Sequence, residues 1–391
     1  MKEWKKVKLG ELYEVHNGLS KGRQFFGSGY PFLTFSNVFN NWFLPEELES
    51  LVQSSEKERQ TCSIKKGDVF ITRTSETMDE LGMSSVALKD YPNATYNGFT
   101  KRLRPLTDEV IPRYIGYYLR SPKFRGKFMA FSTMTTRASL ANDDLLSMEV
   151  EIPEKAIQQR IATILSRYDS LIENYQKQIK LLEESAQRLY KEWFIDLRFP
   201  GHENTKIVDG VPEGWEKKSV DSIFSIKYGK NLSTTLISES GVFPVYGANG
   251  VIGYYDKANC NEQVVLITSR GNGSGDVLMT YHKEAFITNN SFIVTPLEEY
   301  LYCQLPFTYQ FLKCVNFRNV RTGAAQPHVY AKDINAMDLL LPTNEILNSF
   351  ERLLTKIYDS VASIQLQIRH LTEARDRLLP KLMSGEIEIE I

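Results

Sequence analysis

Two stretches of this 391-residue chain carry the same long apolar stripe, 189 positions apart. In the first, apolar or small residues recur at Ile157, Ile161, Ile164, Tyr168, Ile172, Tyr175, Ile179, Leu182, Ala186, Leu189 and Trp193. In the second they recur at Ile346, Phe350, Leu353, Ile357, Val361, Ile364, Ile368, Leu371, Leu378 and Leu382, with Arg375 alone breaking the set. Steps of four and three alternate, the spacing that keeps one face of a helix against a partner helix. An extra step of four between Ile164 and Ile172 is copied between Leu353 and Val361. A stripe held for about five heptads exceeds an ordinary domain helix and reads as a coiled-coil seam. Two stripes with the same stutter in one chain most simply pair with each other, and a pseudo-two-fold between repeats makes that pairing antiparallel. At 1.5 Å per residue, about 40 residues extend roughly 60 Å. The expectation is a rigid spacer with a globular domain at either end.

The repetition reaches beyond the stripes. Shifted by 211, WKKVKLGELYEVHNG (4–18) falls on WEKKSVDSIFSIKYG (215–229); shifted by 189, NDDLLSMEVEIP (142–153) falls on AKDINAMDLLLP (331–342). The ends of each half match and the middles diverge, so one unit is used twice. Strand-like runs such as DVFITRT (68–74) and QVVLITS (263–269), punctuated by Asn-Gly pairs, make the domains mixed α/β in character, of the α+β class. The expected layout is a first domain over 1–150, a first long helix with linker over 151–200, a second domain over 201–342, and a second long helix with tail over 343–391.

Charge gives little direction. The net charge is −1; residues 1–150 carry 21 basic and 18 acidic groups, and residues 201–342 carry 12 and 14. A nucleic-acid face must therefore come from local arrangement rather than bulk charge. No apolar run suits a membrane span, the start lacks a signal-peptide core, and the four cysteines are too scattered for a disulfide framework, which together point to the cytoplasm.

Catalytic motifs are absent. There is no GxxxxGK[ST] loop, no Asn-Pro-Pro-aromatic or Asp-Pro-Pro-aromatic tetrapeptide, and no CxxC or HxxxH spacing among the five histidines and four cysteines. No catalytic residue, metal site or cofactor is assigned. The glycine-rich RGNGSGD (270–276) is either a turn that lets backbone amides and Arg270 approach a phosphate or a plain structural turn. What remains is a set of loops carrying side chains that read bases and phosphates, at four corresponding places in both halves. The first pair offers Lys21 and Arg23, then Lys230 and Asn231. The second offers Arg73 and Thr74, then Ser269, Arg270, Asn272 and Ser274. The third offers Lys101, Arg102 and Arg104, then Asn289 and Asn290. The fourth offers Thr136 and Arg137, then Arg318, Arg321, Gln326 and His328.

Three strings resemble a known family. LYKEWFIDLRFPGHENTKIVDGVPEGWEKKSV (189–220) is similar to the central region of specificity subunits of type I restriction–modification systems, and RDRLLPKLMSGEIEI (375–389) to the end of their second helix. PVYGANGVIGYY (244–255) looks like the opening of one class of their target recognition domains. The resemblance implies a non-catalytic subunit that reads a two-part site on double-stranded DNA, one half-site per domain, with the helices holding the gap. It implies two adenine methyltransferase partners that use S-adenosylmethionine and, in restriction complexes, two translocase–nuclease partners that use ATP and Mg. It also implies that the alternating tail GEIEIEI (385–391) meets the start of the chain near Trp4. Two other readings stay open: the specificity part of a type II-like fused restriction–methylation enzyme, and a coiled-coil scaffold that binds protein rather than DNA.

Overall fold

The computed structural model describes residues 4–75, 80–131, 133–134, 138–139, 141–271, 273–323, 327–387 and 389. Two compact units divide the chain: Met1–Glu173 with Arg369–Ile391, and Asn174–Ile368. The dividing line crosses both long helices. The helices that matter for the site are α1 (Pro112–Arg120), α2 (Lys155–Tyr190), α3 (Leu305–Cys314) and α4 (Asn344–Ser384).

Each unit contains the same sheet. In the first its order is Tyr13–Asn17, Thr100–Pro105, Val69–Thr72, Ser84–Val86; in the second it is Phe224–Tyr228, Ser291–Pro296, Val265–Thr268, Val277–Met279. The registers coincide. Leu103 pairs with Val15 on one side and Val69 on the other, as Val294 pairs with Ile226 and Val265. The runs VFIT and VLIT are buried at all four positions, because each central strand is covered on both faces. A parallel pair also recurs: Leu33 beside Tyr96, and Tyr246 beside Ile287. Each unit is closed by pairing its first strand with its last, Lys5–Lys8 with Glu149–Ile152 and Glu216–Ser219 with Asp338–Leu341. A long helix follows directly.

Helix α2 has 36 residues and α4 has 41, about 54 and 62 Å at 1.5 Å each. Early in α2, Ile161, Ala162 and Leu165 share a core with Leu379, Leu382 and Met383 from the end of α4. In the second unit, Tyr190 and Trp193, beyond the middle of the first stripe, pack on Phe350 near the start of α4. The helices therefore run antiparallel. Tyr168, Ile172, Tyr175, Ile179, Leu182, Ile364, Ile368 and Leu371 are half-buried along the seam, as expected of two helices with no third layer over them. Leu353 departs from the expected stripe: it is 43% exposed, and Leu354 takes the core position beside Leu347 and Tyr358. Near its start α4 faces a domain as well as a helix, so the buried face rotates away from the heptad position. Pro380, which the apolar spacing ignores, lies inside α4 one turn from its end, where one lost backbone hydrogen bond is tolerable. Trp4 and Ile389 both pack on the core of the first unit, and the Trp4 ring lies against Gly385.

Arg375 breaks the apolar pattern because it has a partner. Its Nη1 lies 2.8 Å from Asp169 Oδ1, and Tyr117 of α1 donates its hydroxyl hydrogen to Oδ2 of the same carboxylate. The guanidinium also stands over the Trp42 ring, 5.1 Å from its centroid. The residue 189 positions after Asp169 is Tyr358, and there Gln310 of α3 donates to the phenol oxygen. The two units are thus pinned to the long helices at the same place by different chemistry.

A second pin fastens each domain helix at its start. Gln158 is buried; its Oε1 accepts from Ile111 N at 2.9 Å and its Nε2 donates to Glu109 O at 3.0 Å. Glu351, also buried, accepts from Phe307 N at 3.1 Å. Both satisfy amides at a helix start that has no helical acceptor for them. Burial pushes the Glu351 carboxyl up to about 8, so it is neutral in the folded protein at pH 7 and ionised in the unfolded chain. Stability should fall as pH rises from about 4.5, the unfolded value, through about 8. Glu351→Gln keeps the acceptor and removes that dependence. Its melting temperature should exceed the parent's at pH 8, by more than about 1 kcal/mol of stability, and match it near pH 4.5. Parallel melting curves at every pH would refute this account of Glu351.

Candidate nucleic-acid interface

The loops singled out by composition converge in each unit, and backbone hydrogen bonds join them. In the second unit Lys230 N donates to Ile287 O at 2.9 Å, and Asn289 N donates to Lys230 O at 3.0 Å. Ser269 N donates to Asn290 O at 2.8 Å, Val329 N to Ser269 O at 3.0 Å, and Gly271 N to Pro327 O at 3.0 Å. Arg270 and His328 form a bridge, and the His328 ring stacks on Tyr330. Lys230, Asn231 and Arg270 are exposed there, and Asn289, Asn290 and His328 are half-buried. These six form one cluster of hydrogen-bonding groups at the ends of adjacent strands.

The first unit repeats the arrangement. Gly98 N donates to Leu19 O at 2.9 Å and Arg73 N to Phe99 O at 3.0 Å. The short strand Thr74–Ser75 pairs with Ala138–Ser139, bringing the fourth loop alongside. Arg73 is half-buried, with Nη1 3.4 Å from Gly98 O, and Arg23 is exposed. Because the registers coincide, positions can be matched: Leu19 with Lys230, Arg73 with Ser269, Thr74 with Arg270, Phe99 with Asn290. The frame is shared and the side chains are not.

Several expected contacts are internal instead. Lys101 and Arg102 are buried in the Thr100–Pro105 strand at the places of Phe292 and Ile293 in the other unit. Lys101 donates to Asn142 Oδ1, and Arg102 Nη1 reaches Ser63 O at 2.7 Å and Thr61 O at 3.2 Å. Arg104 grips the fully buried Asp68 with two bonds of 2.9 and 2.7 Å, which holds the guanidinium above its ordinary range. Lys21 binds Glu58 at 2.8 Å and Gln53 O at 2.7 Å, and this pairing holds the Glu58 carboxyl below its ordinary range. Ser269 and Ser274 are buried; Ser269 Oγ donates to Asn290 O, and Ser274 Oγ to Ser269 O. Arg321 leans toward Asp276, 3.8 Å away. The amides of Gly271, Ser274, Gly275 and Asp276 all donate to backbone carbonyls, so these four are engaged within the turn. Gly275 is needed there: φ is +85°, and a Cβ would meet Phe317 at 2.5 Å. Thr136, Arg137, Asn272, Gln326 and the side chains of Thr74 and Arg318 lie outside the described residues.

Sequence reasoning passed over Phe99 and Tyr330, 58% and 44% exposed, because it sought hydrogen-bonding side chains. Their place in loops between polar runs was the available signal. Among the described residues, no helix is long and apolar enough to cross a membrane.

A family model for the type I restriction modification DNA specificity domain matches residues 1–184 and again 212–368, once on each repeat. The MjaIX type I restriction enzyme specificity subunit of Methanocaldococcus jannaschii is 26% identical over 422 residues, spanning 100% of this chain and 94% of that protein. The HindI specificity subunit of Haemophilus influenzae is 23% identical over 478 residues, spanning 99% and 100%. The fold resembles that of the type I restriction–modification S subunit from M. genitalium, with a TM-score of 0.54 at 18% identity over 97% of this chain and 96% of that one.

The inward and outward arginines should separate in a melting experiment. Arg102→Ala exposes no new surface but strands the Ser63 and Thr61 carbonyls, and should cost about 2–5 kcal/mol of stability. Arg270→Ala should stay within about 0.5 kcal/mol of the parent. Equal losses would mean that Arg270, too, is part of the scaffold.

Proposed function

Since the chain belongs to the type I restriction modification DNA specificity family, we propose that its two repeated units read the two halves of one interrupted DNA site. The chain is the specificity subunit of a type I restriction–modification system. One observation carries the proposal: the same loop cluster stands in the same frame in both units, yet Arg73, Thr74 and Phe99 in one occupy the positions that Ser269, Arg270 and Asn290 occupy in the other. A conserved frame with exchanged side chains suits two different base sequences held by one geometry. Arg270, Lys230, Asn289, Asn290 and His328 are the chemical types that pair with base edges or phosphates.

In this reading the chain performs no chemistry. Two adenine methyltransferase subunits dock on the long helices and supply S-adenosylmethionine; two restriction subunits, where present, supply ATP and Mg. The chain works in the cytoplasm, where its DNA is. A net charge of −1 is compatible with that division, because partner subunits can supply much of the phosphate neutralisation. The lengths of α2 and α4 and their antiparallel run support their role as the element that sets the gap.

Mapping methylated adenines in DNA from cells that express this chain with its methyltransferase partner tests the reading: a two-part motif with a fixed unspecified gap is expected. A motif without a gap, or no methylation, would defeat it. Replacing residues 201–342 with a relative's domain should change one half of the motif only, and a change in both halves would end the modular picture. The gap itself can be altered. Four residues inserted after Glu173 and four after Ala362 lengthen each helix by about 6 Å and turn it by about 40°. A base pair rises about 3.4 Å and twists by roughly 34–36°. The half-sites should therefore stay the same while the gap grows by one or two base pairs. An active variant with an unchanged gap would show that the helices do not set the distance.

A further inference from the structure

Phe99 stands out at the loop cluster of the first unit. It is 58% exposed, more than any other aromatic residue among those described. A loop with freedom to move would fold such a ring against the nearest apolar surface, and this one is prevented from doing so. Phe99 N donates to Asn97 Oδ1 at 2.7 Å, and its carbonyl accepts from Arg73 N at 3.0 Å. On either side, Thr100 Oγ1 donates to Asn97 O at 2.7 Å, Gly98 N to Leu19 O at 2.9 Å and Asn97 N to Leu33 O at 3.0 Å. Gly98 fits closely, since a Cβ there would meet Ser20 Oγ at 2.3 Å. The turn is tied to three other segments, and the ring is carried outward on a rigid backbone.

The core gains nothing from this placement. The corresponding position in the second unit is Asn290, a residue whose amide can pair with a base edge. An apolar ring where the sister unit presents an amide calls for an apolar feature in the ligand. In the major groove of DNA only one base edge has such a feature, the 5-methyl group of thymine. Resting on the reading of the two units as half-site readers, we propose that Phe99 recognises a thymine methyl group in the half-site bound by the first unit. Arg73, whose backbone amide holds the Phe99 carbonyl, positions the turn.

Uracil lacks only that methyl group, so replacing thymine by uracil isolates the contact. The chain assembled with its methyltransferase partner is titrated with target duplexes in which each thymine of the first half-site, on either strand, is replaced in turn. At one position the parent should bind about fourfold more weakly, as expected for losing one buried methyl. Phe99→Ala should bind the normal and the uracil duplex equally at that position, and its methylation motif should relax there alone. Phe99→Leu, which keeps an apolar side chain, should retain part of the discrimination. Equal sensitivity of parent and Phe99→Ala at every position would overturn the proposal, as would a half-site without thymine. Weaker assembly of Phe99→Ala with the methyltransferase, with the discrimination between thymine and uracil unchanged in the complex that forms, would place the ring against protein and overturn it as well. A parent with no sequence preference at all would instead defeat the half-site reading on which the proposal rests.

Discussion

Two helices running side by side can bury only one stripe of each, and the middle of this pair reflects that limit. Tyr168, Ile172, Tyr175 and Ile179 remain partly open to water, as do Ile364, Ile368 and Leu371. A seam of that kind is weak by itself. It becomes firm where domain residues cover it: Ile161 and Leu165 with Leu379 and Leu382 in one unit, Phe194 and Phe350 with Phe307 in the other. Gln158 and Glu351 add buried hydrogen bonds to the starts of α1 and α3. Each domain therefore folds against the helices, and the helices are held in register by the domains.

This dependence explains which residues the repeats share. The register of the central sheet is the same in both units, and the triplet of Val15, Leu103 and Val69 stays apolar as Ile226, Val294 and Val265, although Lys101 and Arg102 replace Phe292 and Ile293 beside it. Divergence is concentrated where strands end and loops meet. There many side chains face solvent and pack on little, so exchanging Phe99 for Asn290 leaves the frame undisturbed.

The repeat, the long helices and their antiparallel sense were legible because periodicity is set by the geometry of a helix and survives substitution. So was the grouping of polar loops at matching places. The direction in which single side chains point was not. Thr100, Lys101 and Arg102 are buried in succession, so the alternation that normally separates inner from outer residues of a strand is missing, and the cations look like a surface patch. The partners that draw Arg104, Lys101 and Arg102 inward, namely Asp68, Asn142 and the carbonyl of Ser63, lie 36 to 41 residues away in the chain and no spacing reveals them. Leu353 and Leu354 differ by one position, and only the packing of a domain beside the helix decides between them.

The unlike pins that join the two units to the helices also bear on inheritance. Asp169 is satisfied by Tyr117 and Arg375 together, while Tyr358 is met by Gln310. A recognition domain acquired from another lineage must bring a suitable donor on its own α1-like or α3-like helix. Without one, a partly buried carboxylate or phenol loses a partner at the joint. The range of targets that such recombination can reach is therefore screened first by a fit between protein surfaces, before any base is read.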